Sequence, residues 1–136
     1  MKLFIDTNII LDILLAREPF ASKSMELLQE AEKKKYSMYI SASSATDIFY
    51  LLSKYLKDKQ TVYSIFGELL NIVMIADVTD SIVRRSYNEN WEDFEDAVQY
   101  NCAKSIHSEY IITRNNRDFT KSDIPVLSPE EYLDKV

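Results

Sequence analysis

The sequence predicts an α/β fold, a three-layer α/β/α sandwich on a mainly parallel sheet of roughly five strands. Three observations predict it. Short β-prone runs alternate with amphipathic helical stretches along all 136 residues, the pattern of repeated strand–helix units. The three prolines, Pro19, Pro125 and Pro129, are scattered near turns, and Gly67 is the only glycine, so no linker divides the chain. Hydrophobic residues make up 46% and charged residues 28%, which suits one globular domain over residues 1–136.

The elements follow in order. Lys2 to Ile5 is a β-prone run that Asp6-Thr7-Asn8 breaks. Ile9, Ile10, Ile13 and Leu14 then recur at helical spacing. Pro19 stands at the start of the next helix, where proline is tolerated. That helix turns Met25, Leu28 and Ala31 to the core and ends in Lys33-Lys34-Lys35, cations that favour a helix C-terminus. Tyr36 to Ile40 reads as the second strand. Ser43 and Ser44 are N-cap candidates for a helix carrying Ile48, Leu51, Leu52 and Tyr55. The next helix holds Val62, Ile65, Phe66, Leu69 and Leu70, and Ile72 to Ala76 is the third strand. Thr79 caps a helix with Ile82, Val83 and Tyr87. A helix from about Phe94 aligns Ala97, Val98, Cys102 and Ile106. Tyr110 to Thr113 is the fourth strand and Val126-Leu127 a short fifth. Ser128-Pro129-Glu130-Glu131 opens a final helix with cap and proline in the favoured order.

Composition narrows the chemistry. One cysteine, Cys102, forms no internal disulfide and points to a reducing compartment. Asp6 and Asp12 interrupt the apolar N-terminal run, so neither a signal peptide nor a membrane span is expected, and the protein reads as cytoplasmic. A single glycine excludes a glycine-rich phosphate loop. A single histidine, His107, excludes zinc sites built on several His or Cys ligands. Sixteen Lys and Arg stand against 22 Asp and Glu, a net charge of −6. That counts against tight binding of nucleic acid by the chain alone. It counts less against a nuclease whose metal ions offset an acidic site, and it suits a basic protein partner.

In open parallel sheets, sites form beyond the carboxyl ends of the strands. Acids placed there are the candidates. Asp6 closes the first strand in Phe4-Ile5-Asp6-Thr7-Asn8. It reads either as a helix N-cap or as a functional carboxylate, costly to bury without a partner. Asp93 and Asp96 lie three apart in Asp93-Phe94-Glu95-Asp96-Ala97 and share a helix face. Glu92 and Glu95 read as charge that favours a helix N-terminus. Asp118 leaves the fourth strand in a turn rich in Asn and Asp. Asp47, in Ala45-Thr46-Asp47-Ile48, reads alone as a first-turn acid. Gathered at one end of a sheet, these acids repel one another. Mg²⁺ or Mn²⁺, which prefer oxygen ligands, resolves the repulsion.

Three blocks, Phe4-Ile5-Asp6-Thr7-Asn8, Asp93-Phe94-Glu95-Asp96-Ala97 and Ile112-Thr113-Arg114-Asn115-Asn116-Arg117-Asp118-Phe119, resemble the signature blocks of PIN domains in order and approximate spacing. The resemblance spans almost the whole chain. It implies an α/β/α ribonuclease using Mg²⁺ or Mn²⁺, similar to the VapC toxins of toxin–antitoxin pairs. RNA would then be the substrate, with an antitoxin protein and a second copy of the chain as partners. Carried over by position, the resemblance makes Asp6, Asp96 and Asp118 metal ligands and adds Asp47 to the catalytic set. Asn8, Asp93, Thr113 and Asn115 become auxiliary positions, with Thr113 and Asn115 orienting water or phosphate. Arg114 and Arg117 are phosphate contacts or simply surface charge. Two positions depart from the family pattern. Asp47 stands where relatives carry glutamate, one methylene longer, and Asn115 where many carry aspartate.

Rival readings differ in class. A PIN-fold module that binds RNA or protein with weak catalysis would keep the shape and lose metal affinity. A phosphoryl-transfer enzyme with Asp6 as nucleophile would want a second aspartate where Asn8 stands. A Ser-His-Asp hydrolase would depend on His107, which has no nucleophile turn nearby in sequence.

Overall fold

Period-two alternation in the strands decides the layering. In β1 (Lys2–Ile5), Leu3 and Ile5 pack to one side and Phe4 to the other, all fully buried, as strand geometry requires. The computed structural model describes residues 1–135 and repeats this sorting in the other strands. These are β2 (Ser37–Ser41), β3 (Met74–Ala76), β4 (Tyr110–Ile112) and β5 (Val126–Leu127). Met38, Ile40, Ile112 and Leu127 join Leu3 and Ile5. Tyr39, Ala76, Ile111 and Val126 join Phe4. All pairings are parallel, in the order β3-β2-β1-β4-β5.

Helices cover both faces. On the Leu3 and Ile5 side lie α1 (Thr7–Leu14), α2 (Phe20–Lys33), α3 (Ala42–Leu56), α4 (Lys59–Ile72) and the terminal α7 (Pro129–Lys135). They contribute Ile9, Ile10, Leu27, Ile48, Leu52, Leu69 and Tyr132 to that core. On the Phe4 side lie α5 (Asp80–Glu89), α6 (Phe94–Ser105) and a 3-10 turn, Asn116–Phe119, with Ile82, Val98, Tyr100 and Phe119. The expected α/β/α sandwich with a five-stranded parallel sheet is the observed architecture.

Helix α6 is buried on every side from Ala97 through Ala103. Its polar Asn101 is accommodated by donating Nδ2 to Ser86 Oγ at 3.0 Å and Glu89 Oε1 at 2.8 Å, which ties α6 to α5. Among the described residues, no helix is long and apolar enough to cross a membrane.

Three local expectations change. Ser41, rather than Ser43 or Ser44, caps α3: its Oγ accepts the Ser44 N–H at 3.0 Å, because the helix follows β2 without a spacer. The buried stripe of α2 runs through Ala21, Ser24, Leu27, Leu28 and Ala31, and Met25 lies outside it, 42% exposed. Tyr55 and Tyr87 likewise face outward from α3 and α5.

Candidate active site

The site grows from the end of β1. Ile5 pairs with Ile112 across the sheet, and the Asp6 N–H donates to Ile112 O at 2.9 Å. That register puts Asp6 beside Thr113, the residue that follows β4. Asp6 is only 5% exposed. Its Oδ2 accepts from Thr113 Oγ1 at 2.8 Å and its Oδ1 from Gln99 Nε2 at 3.0 Å. Burial pushes its pKa up; these two donors oppose the rise, and Asp118 adds to it. Asp6 occupies the N-cap position of α1, but its side chain makes no capping bond. The carboxylate is therefore held for something other than helix capping.

Helix α6 forms the opposite wall. Asp93 caps it, accepting the Asp96 N–H at 3.2 Å. That cap turns the first residues of the helix, Glu95 and Asp96, into a cleft where they meet Asp6, Asp47 and Asp118. Desolvation first, then Asp93, Asp118, Asp6 and Glu95, pushes the Asp96 pKa up to about 7. Desolvation, followed by Asp47, Asp93 and Asp6, also raises Glu95.

Six carboxylates line this cleft, and no lysine, arginine or histidine among the described residues does. As they stand, no three of the described acids, His or Cys close into a metal cage. The donor set is nonetheless all oxygen, and its excess negative charge is only partly relieved by neutral donors. Both properties fit a hard divalent cation.

The other expected residues are placed as follows. Asn8 and Asn115 line the cleft beside the acids. Asp118 stands on the 3-10 turn, its N–H donating to Asn115 O at 3.0 Å. The Thr113 hydroxyl gives its one proton to Asp6 and accepts from the Asn115 N–H at 3.0 Å. It therefore orients Asp6 and has no proton left for a phosphate oxygen, while one lone pair stays open to a water. Arg117 lies in an adjoining cleft that shares Asp93, Asp96 and Asp118. Arg114 lies elsewhere, and its expected role as a phosphate contact is corrected. Its Nε donates to Asp12 Oδ2 at 2.8 Å and its Nη2 to Asp12 Oδ1 at 3.3 Å, and its guanidinium stacks 4.1 Å from the Phe20 ring centroid. The fully buried Asp12 claims it as counter-ion.

Sequence reasoning missed Glu95 and Gln99. In the sequence Glu95 reads as helix N-terminal charge, yet it lines the cleft with Asp47. Gln99 belongs to no local motif. The available signal was spacing: 95, 96 and 99 share one helix face at three- and four-residue intervals.

Comparison with known proteins gives a consistent picture. The family model for the PIN domain matches residues 2–117. Ribonuclease VapC1 of Aquifex aeolicus is 31% identical over 139 aligned positions, covering 98% of this chain and 94% of that protein. Among solved structures, a toxin–antitoxin complex from Klebsiella pneumoniae superposes with a TM-score of 0.68 at 25% identity, covering 93% of this chain and 97% of the other. Mycobacterium tuberculosis VapC20, a toxin that cleaves the sarcin–ricin loop, superposes with a TM-score of 0.64 at 15% identity, over 80% of this chain and 86% of that one.

Proposed function

The chain belongs to the PIN-domain family, and on that premise we propose that it is a metal-dependent endoribonuclease that hydrolyses RNA phosphodiester bonds as the toxin of a toxin–antitoxin pair. The observation that carries this reading is the cleft of six carboxylates with Asp96 pushed up to about 7. Crowded acids of this kind mark sites built for chemistry.

Asp6, Asp96 and Asp118 would hold Mg²⁺ or Mn²⁺, with Asp47 and Glu95 supplying further negative charge across the cleft. When bound, the cation lowers the pKa of a water and offsets charge on the phosphate. The chain's own residues prepare the rest. Thr113 and Gln99 occupy both oxygens of Asp6, so its carboxylate is aimed before any ligand arrives. The Asp93 cap fixes the first turn of α6 and with it Asp96. Asn8 and Asn115 offer uncharged amide N–H groups to phosphate oxygens. Arg117, in the adjoining cleft, contacts the RNA backbone on either side of the cut.

We also assign the protein an antitoxin partner and a cytoplasmic location. The relatives solved as toxin–antitoxin complexes support the partner, as does an apolar groove between α3 and α4 lined by Ala45, Phe49, Tyr63, Phe66 and Leu70. Exposed apolar surface of this kind marks interaction sites, and a second copy of the chain is the other protein it would accept.

The decisive experiment is cleavage of a mixed RNA pool with Mn²⁺ and with EDTA, by wild type and Asp96→Asn. Metal-dependent cleavage that the variant loses is the expected result. No cleavage and no Mn²⁺ binding by folded wild type would favour a catalytically weak PIN-fold binding module. That second reading draws on Asp47, one methylene shorter than the family's glutamate.

A further inference from the structure

We propose that Gln99 is a positioning residue for the cation of this site: its Nε2 holds Asp6 while its Oε1 accepts a hydrogen bond from the cation's hydration shell. The inference rests on the metal-dependent reading above.

Gln99 lies on α6, is 2% exposed and lines the acidic cleft. An ionised carboxylate only accepts hydrogen bonds, so the amide must present its NH₂ to Asp6, as the 3.0 Å contact shows. That choice fixes the other end of the amide. Oε1 is buried and has no partner. Native proteins rarely leave a buried acceptor unpaired, and an exception asks for an explanation.

The surroundings say what kind of partner is missing. Asp6, Glu95 and Asp96 line the same cleft and are acceptors when ionised. Asn8 and Asn115 bring the cleft some N–H donors, but its six carboxylates leave acceptors in excess. Water bound to a cation has a lone pair committed to the ion and both hydrogens turned outward. A hydrated divalent ion therefore presents only donors to a wall of acceptors. Glutamine also suits the position in charge: it adds an acceptor without a seventh negative group. The other unpaired amide oxygen on α6, Asn101 Oδ1, belongs to a side chain that ties α6 to α5 and lies outside the cleft, so it makes no such demand.

The test is calorimetric titration of Mn²⁺ into the purified full chain, with circular dichroism to check folding. Gln99→Met keeps the length and helix preference but removes both polar groups. It should weaken Mn²⁺ binding about 10- to 100-fold, the range for residues that support metal ligands indirectly. The same loss should appear with hexaamminecobalt(III), whose ammine shell presents only N–H donors and takes no side chain as a direct ligand. If Gln99 served only to hold Asp6 as a direct ligand, Mn²⁺ affinity would fall and hexaamminecobalt(III) affinity would not; that result overturns the proposal. Unchanged affinity in Gln99→Met also overturns it. Failure of wild type to bind Mn²⁺ overturns the metal-dependent reading itself, and this inference with it.

Discussion

Asp6 and Asp12 lie six residues apart on the same strand–helix segment, and both are nearly or fully buried, at 5% and 0% exposure. Their company differs completely. Asp12 sits between two guanidinium groups, with Arg17 Nε at 2.9 Å and Arg114 Nε at 2.8 Å. Asp6 is held by a hydroxyl and an amide, and the charge acting on it is that of another acid, Asp118. Burial therefore does not separate the two acids; the sign of their neighbours does. A paired buried carboxylate is spent on the fold. One surrounded by neutral donors and other acids is kept ready for a ligand.

The comparison predicts opposite responses. Asp6→Asn should cut RNA cleavage by more than about 100-fold, since loss of supporting residues alone reaches that size. Its stability in urea should be unchanged or improved, because a desolvated charge is removed. Asp12→Ala should do the reverse in stability, costing about 3 kcal/mol by urea denaturation because two guanidinium groups lose their counter-ion. Equal stability losses in both variants would break the distinction.

A smaller effect is read from pH. The Asp96 pKa is about 7 in the folded chain against an ordinary 3.8. The folded state thus binds this proton more tightly than the unfolded chain does. The contribution of Asp96 to the stability of the metal-free protein is therefore full below about pH 4 and is lost as pH rises through about 7. Three pKa units would be about 4 kcal/mol; with the side chain partly exposed and solvent-screened, the fall should be about 1–2 kcal/mol. Thermal melts in EDTA at pH 5 and pH 8 measure it. Asp96→Asn should remove most of the difference, leaving the part due to Asp6 and Glu95, which are shifted in the same direction.

The two arginines sharpen the contrast at the smallest scale. Arg114→Ala should cost about 1–2 kcal/mol, from bonds to a charged partner and stacking on Phe20. Arg117→Ala should change stability by less than about 0.5 kcal/mol but raise KM for RNA. Denaturation and steady-state cleavage of one RNA separate them.

The sheet was legible in the sequence because strands buried on both faces become short apolar runs that carry their own signal, as Leu3-Phe4-Ile5 does. Asp6, Asp96 and Asp118 were legible because each sits in a distinctive local block. Glu95 was not: the same residue at the same helix position reads equally well as favourable dipole charge, and its meeting with Asp47 depends on how α3 and α6 approach. Gln99 and Arg114 were hidden for a related reason. Their partners lie 93 and 102 residues away, and no local pattern encodes such a pairing. Met25 shows the limit on helix phase, because the small residues Ala21 and Ser24, rather than the largest side chain, define the packed stripe.

The all-round burial of Ala97–Ala103 in α6 has an evolutionary consequence. The wall that carries Asp96 and Gln99 is embedded in the core, so a substitution there is screened twice, once by folding and once by chemistry. Asp47 stands exposed on α3, where a side chain can lengthen or shorten without repacking anything. A change of length at position 47 therefore alters the reach of the carboxylate across the cleft while leaving the core packing untouched.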